Sequence, residues 1–200
     1  MNMEQLSAGY ELKSARYLAR EILARVIRPG NLAVDATMGN GYDTEYLCEL
    51  VGESGRVIAF DVQEQALRRT EERLKSAGLA ERVTLMLVGH ERMAEYVQEP
   101  AQAIVFNLGW LPGGDHGVTT RWETTKAAVE AGLSLLKPGG VIVLCAYPGH
   151  GEGERERQEL TSFLGALDNR QYNVLDQRFL NAGPGAPECF VVQKEKHWIM

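Results

Sequence analysis

Two hundred residues with 44% hydrophobic content can bury one core, and no apolar run approaches the roughly 18 residues of a membrane span, which excludes a helical membrane protein. A formal net charge of −6 excludes a global attraction to nucleic acid, so any such partner must be met by a local basic patch. Cys48, Cys145 and Cys189 are odd in number, widely spaced and set among apolar residues. That pattern predicts reduced core thiols rather than disulfides or a metal site and, with a start (Met1-Asn-Met-Glu-Gln) unlike a signal peptide, a single-domain cytoplasmic protein.

In chain order, Leu12, Ala15, Ala19, Ile22, Leu23 and Val26 fall at helical spacing, predicting a leading helix over 11–27. Lys13, Arg16 and Arg20 line its other side, a solvated face balanced by Glu11 and Glu21 or else the best basic candidate for an RNA contact. A short apolar run, Leu32-Ala-Val-Asp35, then stops at a carboxylate and passes into Ala-Thr-Met-Gly39-Asn40-Gly41-Tyr-Asp43-Thr44. Gly39 and Gly41 permit a sharp turn and close approach of a ligand to the backbone, and the helix that follows points its amino-terminal N–H groups at that ligand. A second strand, Arg56–Asp61, ends in its own acid 26 positions after Asp35, where a ribose diol would be held in a βαβ unit.

Two features favour S-adenosylmethionine over a dinucleotide. The third glycine of the dinucleotide pattern would fall at Thr44, and a carboxylate at Asp35 can receive the ammonium of a methionine moiety but would repel a pyrophosphate.

Alternation continues with a helix from Gln63 to Ala77, a third strand over 83–88 leading to Gly89-His90-Glu91, and a fourth over 103–106 leading to Asn107-Leu-Gly-Trp110-Leu-Pro. A helix over 121–136 and a tight Lys137-Pro-Gly-Gly140 connection precede a wholly apolar, central fifth strand, Val141–Ala146. A polar helix over 153–167 and two runs, 172–179 and 188–194, close the chain as an antiparallel hairpin.

These segments resemble the class I S-adenosylmethionine-dependent methyltransferases over roughly residues 10–195. More narrowly, Asp35–Thr44, Gly89-His90-Glu91, Asn107-Leu-Gly-Trp-Leu-Pro-Gly-Gly-Asp115 and Tyr147-Pro-Gly-His150-Gly resemble a small bacterial family long labelled rRNA methylases. The resemblance implies a Rossmann-like α/β fold: a mostly parallel seven-stranded sheet with a reversed strand from the hairpin and helices on both faces. It also implies methylation of the aminomethyl group on a tRNA wobble uridine, with rRNA or a small molecule as the alternative acceptor. Carried over by residue, Gly39, Asn40, Gly41 and Asp43 surround the methionine part, Asp61 and Gln63 the ribose, and His90 the adenine, which backbone or Glu91 can also hold.

The Asn107-to-Trp110 segment further resembles the Asn-Pro-Pro-Tyr loop of amino-group methyltransferases, with Leu108 and Gly109 in place of the prolines. That likeness puts the Asn107 carbonyl on the acceptor amine and the Trp110 ring on the base. A protonated amine must lose a proton, to Asp115, His116 or His150. Recognition of an anticodon loop would draw on Lys13, Arg16, Arg20, Arg121, Arg155 and Arg157, a surface that a homodimer would enlarge. No metal is expected.

Overall fold

The computed structural model describes residues 14–115, 117–149 and 151–196, the side chains of Ala15 and Arg16 excepted. Leu12, Lys13, His116, His150 and the Arg16 side chain, all named above, therefore lie outside the described residues. The elements are α1 (Ala15–Val26), β1 (Leu32–Asp35), α2 (Tyr42–Val51), β2 (Arg56–Asp61), α3 (Glu64–Ser76), β3 (Val83–Leu87), α4 (Met93–Tyr96), β4 (Ala101–Leu108), α5 (Trp122–Leu135), β5 (Leu136–Ala146), α6 (Gly151–Gly165), β6 (Tyr172–Gln177) and β7 (Glu188–Lys194). One seven-stranded sheet runs in the order β3-β2-β1-β4-β5-β7-β6, with β7 antiparallel to both neighbours and every other pairing parallel.

Strand β4 explains why the sheet is buried on both sides. Ile104, Phe106 and Leu108 join the core beneath α5 and α6, while Ala103 and Val105 join the core beneath α1 and α2. Alternate side chains of a strand point to opposite faces, so a run that is apolar at every position needs a helical layer on each. Helix α1 supplies Ala19 and Leu23 to its face and starts from Ser14, whose hydroxyl caps the Tyr17 N–H.

Two expectations are corrected. Lys137–Gly140 do not precede β5 but form an irregularity within it: Ala101 pairs with Leu136 and Ala103 with Val141, so the extra residues bulge out. Cys145 and Cys189 are not reduced thiols; they form a disulfide, leaving Cys48 as the buried free thiol among the described residues. Although 44 residues apart in sequence, they are direct partners in the β5–β7 register with Cα atoms 4.3 Å apart, a proximity that spacing along the chain does not reveal. Among the described residues no helix is long and apolar enough to cross a membrane.

Strand β1 leads by α2 to β2 on one side, while β4 pairs on the other side, so the strand order reverses between β1 and β4. The crevice at their carboxyl ends is where a ligand binds in open α/β sheets, and Asp35 and Asn107 both stand there.

Candidate active site at the β1–β4 switch point

The loop after β1 is held from three sides. Met38 N–H donates to the Phe60 carbonyl (2.9 Å), Gly39 N–H to Asp61 Oδ2 (3.0 Å), and Thr70 Oγ1 to the Gly39 carbonyl (3.1 Å). Gly41 has φ +79°, and a Cβ there would lie 2.9 Å from Thr70 Oγ1 and 3.0 Å from the Thr70 Cα. Both backbone sign and packing against α3 therefore demand glycine. Gly41→Ala should cost about 2 kcal/mol or more, read as a lowered thermal midpoint.

Asp61 is half-buried at the tip of β2, its other oxygen accepting the Gln63 N–H (2.9 Å). Burial raises its pKa above the ordinary carboxylate value, against backbone bonds from Gln63, Gly39 and Val62 that lower it. Asp35 is bonded within the protein. Its side chain has no exposed surface, and its oxygens accept the Thr37 N–H (3.1 Å) and the Thr44 hydroxyl (2.6 Å). It braces the loop from beneath; burial, reinforced by Asp43, pushes its pKa up to about 7.

Asn40 is likewise bonded within the protein. Its side chain donates to the Pro112 carbonyl (3.2 Å) and accepts from Arg69 (3.0 Å), tying the glycine loop to the segment after β4. Leu111 packs with Met38 in the same small cluster. A groove of about 610 Å³ lies beside this tie, between α2 and α3; its walls balance Arg69 and Arg73 against Glu45 and Glu72, and it lies outside the switch-point crevice. His90 is buried, its Nδ1–H donating to the Ala36 carbonyl (3.1 Å) and its ring edge-on to Phe106. Burial lowers its pKa, so the ring is neutral and serves as a strand-end brace. The Glu91 carboxylate folds back over Gly89 into the space a side chain there would need.

Around Asn107 the polar groups converge. Its backbone N–H donates to Thr37 Oγ1 (2.7 Å), and its Nδ2 donates to Asp43 Oδ2 (2.7 Å). A carboxylate can only accept, so the amide nitrogen must face Asp43 and the amide oxygen must face away. That oxygen, Asn107 Oδ1, is buried and has no hydrogen-bond partner. An orphaned buried acceptor costs about 1–3 kcal/mol unless something fills it.

The segment after Asn107 leaves and returns through a narrow neck. Gly109 and Thr120 exchange bonds (Gly109 N–H to Thr120 Oγ1, 2.8 Å; Thr120 N–H to the Gly109 carbonyl, 3.1 Å), and Trp110 bridges Thr119. Beneath the neck, Glu156 of α6 accepts from Thr120 (2.7 Å) and Thr125 (2.5 Å). Glu156 is only 2% exposed, and burial raises its pKa. Trp110 is 36% exposed, whereas Asp115 is exposed and caps its own loop through the Gly117 N–H (2.8 Å).

Arg20, Thr37, Thr120 and Glu156 were missed as site residues. For Glu156 a signal existed: it falls on the buried stripe Gly153, Glu156, Leu160, Leu164, where a lone carboxylate is anomalous. Of the basic residues expected to meet RNA, Arg20 pairs with Asp43, Arg155 with Glu123, and Arg157 with Glu154 and Glu188. Among the described residues no cluster of His, Cys, Asp and Glu is arranged to hold a metal ion.

The model of the family described as "Putative rRNA methylase" matches residues 57–193. The chain is 37% identical over 96% of its length, and 75% of the relative's, to a chloroplastic tRNA (mnm(5)s(2)U34)-methyltransferase of Arabidopsis thaliana. A crystal structure from Clostridium thermocellum, described likewise as an rRNA methylase, superposes with a TM-score of 0.91 at 37% identity, covering 92% of this chain and all of that one. Another, a putative methyltransferase from Streptococcus mutans in complex with SAH, superposes with a TM-score of 0.84 at 35% identity over 92% of this chain and 99% of that one. Likeness on this scale spans the glycine loop, the β2 acid and the Asn107 segment alike, and the chain belongs to the rRNA methylase family.

Proposed function

We propose that this chain, as one domain, is an S-adenosylmethionine-dependent methyltransferase that methylates the aminomethyl group of a tRNA wobble uridine. The observation that carries the reading is the unpartnered Asn107 Oδ1 at the switch point, an acceptor built for an N–H donor. The named activity of the Arabidopsis relative and the SAH of the Streptococcus structure support it.

The residues present fit the cofactor: a half-buried carboxylate at the β2 tip suits a ribose diol, and a glycine turn opens backbone to the methionine part. Asp61 and Gln63 would hold the ribose, and Gly39 and Gly41 the methionine part, with the backbone around Gly89 beside the adenine. When bound, the cofactor supplies an electrophilic methyl group. The protein's work is then positioning. Asn107 Oδ1 accepts an N–H of the acceptor amine and holds its lone pair outward, Trp110 stacks on the base, and Asp115, His116 or His150 takes the proton. A wobble base is already in a single-stranded loop, so its entry costs little unstacking.

Nucleoside mass spectrometry of total tRNA from cells with and without the gene tests this. The expected result is loss of a methylated aminomethyl-uridine with its unmethylated precursor accumulating. An unchanged profile would overturn the tRNA assignment.

A further inference from the structure

Arg20 enters the sequence as one of a basic row, yet in the structure it is not a free surface cation. Its Nε donates to Asp43 Oδ1 (2.8 Å), its Nη2 contacts the same oxygen and donates to the Tyr42 carbonyl (3.1 Å), and its guanidinium lies over the Tyr46 ring, 4.8 Å from the centroid. The Tyr46 hydroxyl closes the arrangement by donating to the Arg20 carbonyl (3.1 Å). The opposite oxygen of Asp43 takes the Asn107 amide (2.7 Å). Three elements, α1, α2 and β4, thus meet in one chain of charge-assisted bonds that ends at the orphaned Asn107 Oδ1.

We propose that Arg20, acting through Asp43, is the positioning residue that fixes the Asn107 amide with its oxygen turned toward the acceptor. The inference rests on the reading of Asn107 as the group that holds the acceptor amine. An Asp carboxylate alone can rotate about its last side-chain torsion and release the amide. A planar guanidinium pinned by stacking and by two acceptors holds that carboxylate in one plane. Lysine would keep the charge but lose the fork and the stack. The leading helix is on this account part of the active site rather than an RNA-facing appendage.

The test combines kinetics with a structural readout. In single-turnover methyl transfer to hypomodified tRNA at saturating cofactor, Arg20→Lys should lower the rate about 10-fold and Arg20→Gln about 100-fold, with KM for tRNA within about threefold of wild type. In an Asn107→Ala background, Arg20→Gln should add little, because the two act as one unit. By ¹⁵N NMR, the Asn107 side-chain amide signal, identified by its loss in Asn107→Ala, should move in Arg20→Lys. It should stay in place in Arg25→Gln, which removes an exposed charge from the same helix.

An unmoved amide signal, or an Arg20→Gln effect undiminished in the Asn107→Ala background, would overturn the proposal while leaving the Asn107 reading intact. So would a pure rise in KM with a salt slope lowered by about one, the signature of a phosphate contact. Wild-type turnover in Asn107→Ala would overturn the Asn107 reading itself and the proposal with it.

Discussion

Replacing Asn107 by alanine should lower methyl transfer to tRNA by about 100- to 1,000-fold, the range seen when a preorganised hydrogen-bonding group is deleted from an active site. The residue is fixed at two atoms before any substrate arrives, its backbone N–H on Thr37 and its Nδ2 on Asp43, with the amide oxygen left unpaired. A group so held contributes without reorganising at the moment of reaction, which makes its loss costly to kcat. Cofactor affinity, which the reading assigns to the glycine loop and Asp61, should stay within about threefold by calorimetry. Truncation removes an unsatisfied buried acceptor but also the Nδ2 bond to the buried Asp43 carboxylate, which keeps its Arg20 partner, so a thermal midpoint lowered only modestly would certify that the lost rate is chemical. A variant that turns over normally would send the acceptor-binding role elsewhere on the carboxyl edge. Asn107→Asp is a harsher substitution, since it sets a second carboxylate against Asp43.

The fold was legible because its signals are local. Apolar runs ending in acids mark β1 and β2, the alternation of strand and helix prescribes a parallel sheet, and Gly183-Pro-Gly-Ala-Pro187 between two β-type runs marks the closing hairpin that contains β7. The site was legible as a set of strand ends, but not in the direction its side chains face. Asp35 and His90 stand at strand ends where ligand contacts are expected, and their side chains bond inward, to Thr37 and Thr44 and to the Ala36 carbonyl. Partners such as Arg20 and Asp43, 23 residues apart, or Thr120 and Glu156, 36 apart, depend on how α1 and α6 lie across the sheet. Register is likewise a tertiary fact, so the Cys145–Cys189 pairing could not be read from three scattered cysteines. What remained readable was a mismatch, a carboxylate on an apolar helical stripe at Glu156, which marks a buried strut before its partners are known.

Asp35→Asn should stabilise the cofactor-free protein at pH 8 and flatten its stability profile between about pH 4 and pH 7. The native carboxyl titrates near 7 rather than at the ordinary 3.8, mainly because it is fully buried and secondly because Asp43 is close. A folded-state pKa raised above the unfolded one means that the unfolded chain gives up this proton first as pH rises. The associated stability is complete below about pH 4 and is lost progressively up to about pH 7, amounting to roughly 4 kcal/mol by the size of the shift. Asparagine keeps the shape, accepting the Thr37 N–H and donating to the Thr44 hydroxyl in place of the bond now made by that hydroxyl. It never ionises, so its urea-unfolding free energy should fall less than the wild type's between about pH 4 and pH 7, the slope that remains coming from Asp61 and Glu156, whose pKa values burial also raises, with the two curves meeting at low pH. Asp35→Ala separates charge from bracing: it also abolishes the ionisation but strands the Thr37 N–H and Thr44 hydroxyl, which should cost about 1–3 kcal/mol at every pH. Parallel curves for wild type and Asp35→Asn would mean that the carboxyl ionises normally and that the loop after β1 is open to water beneath.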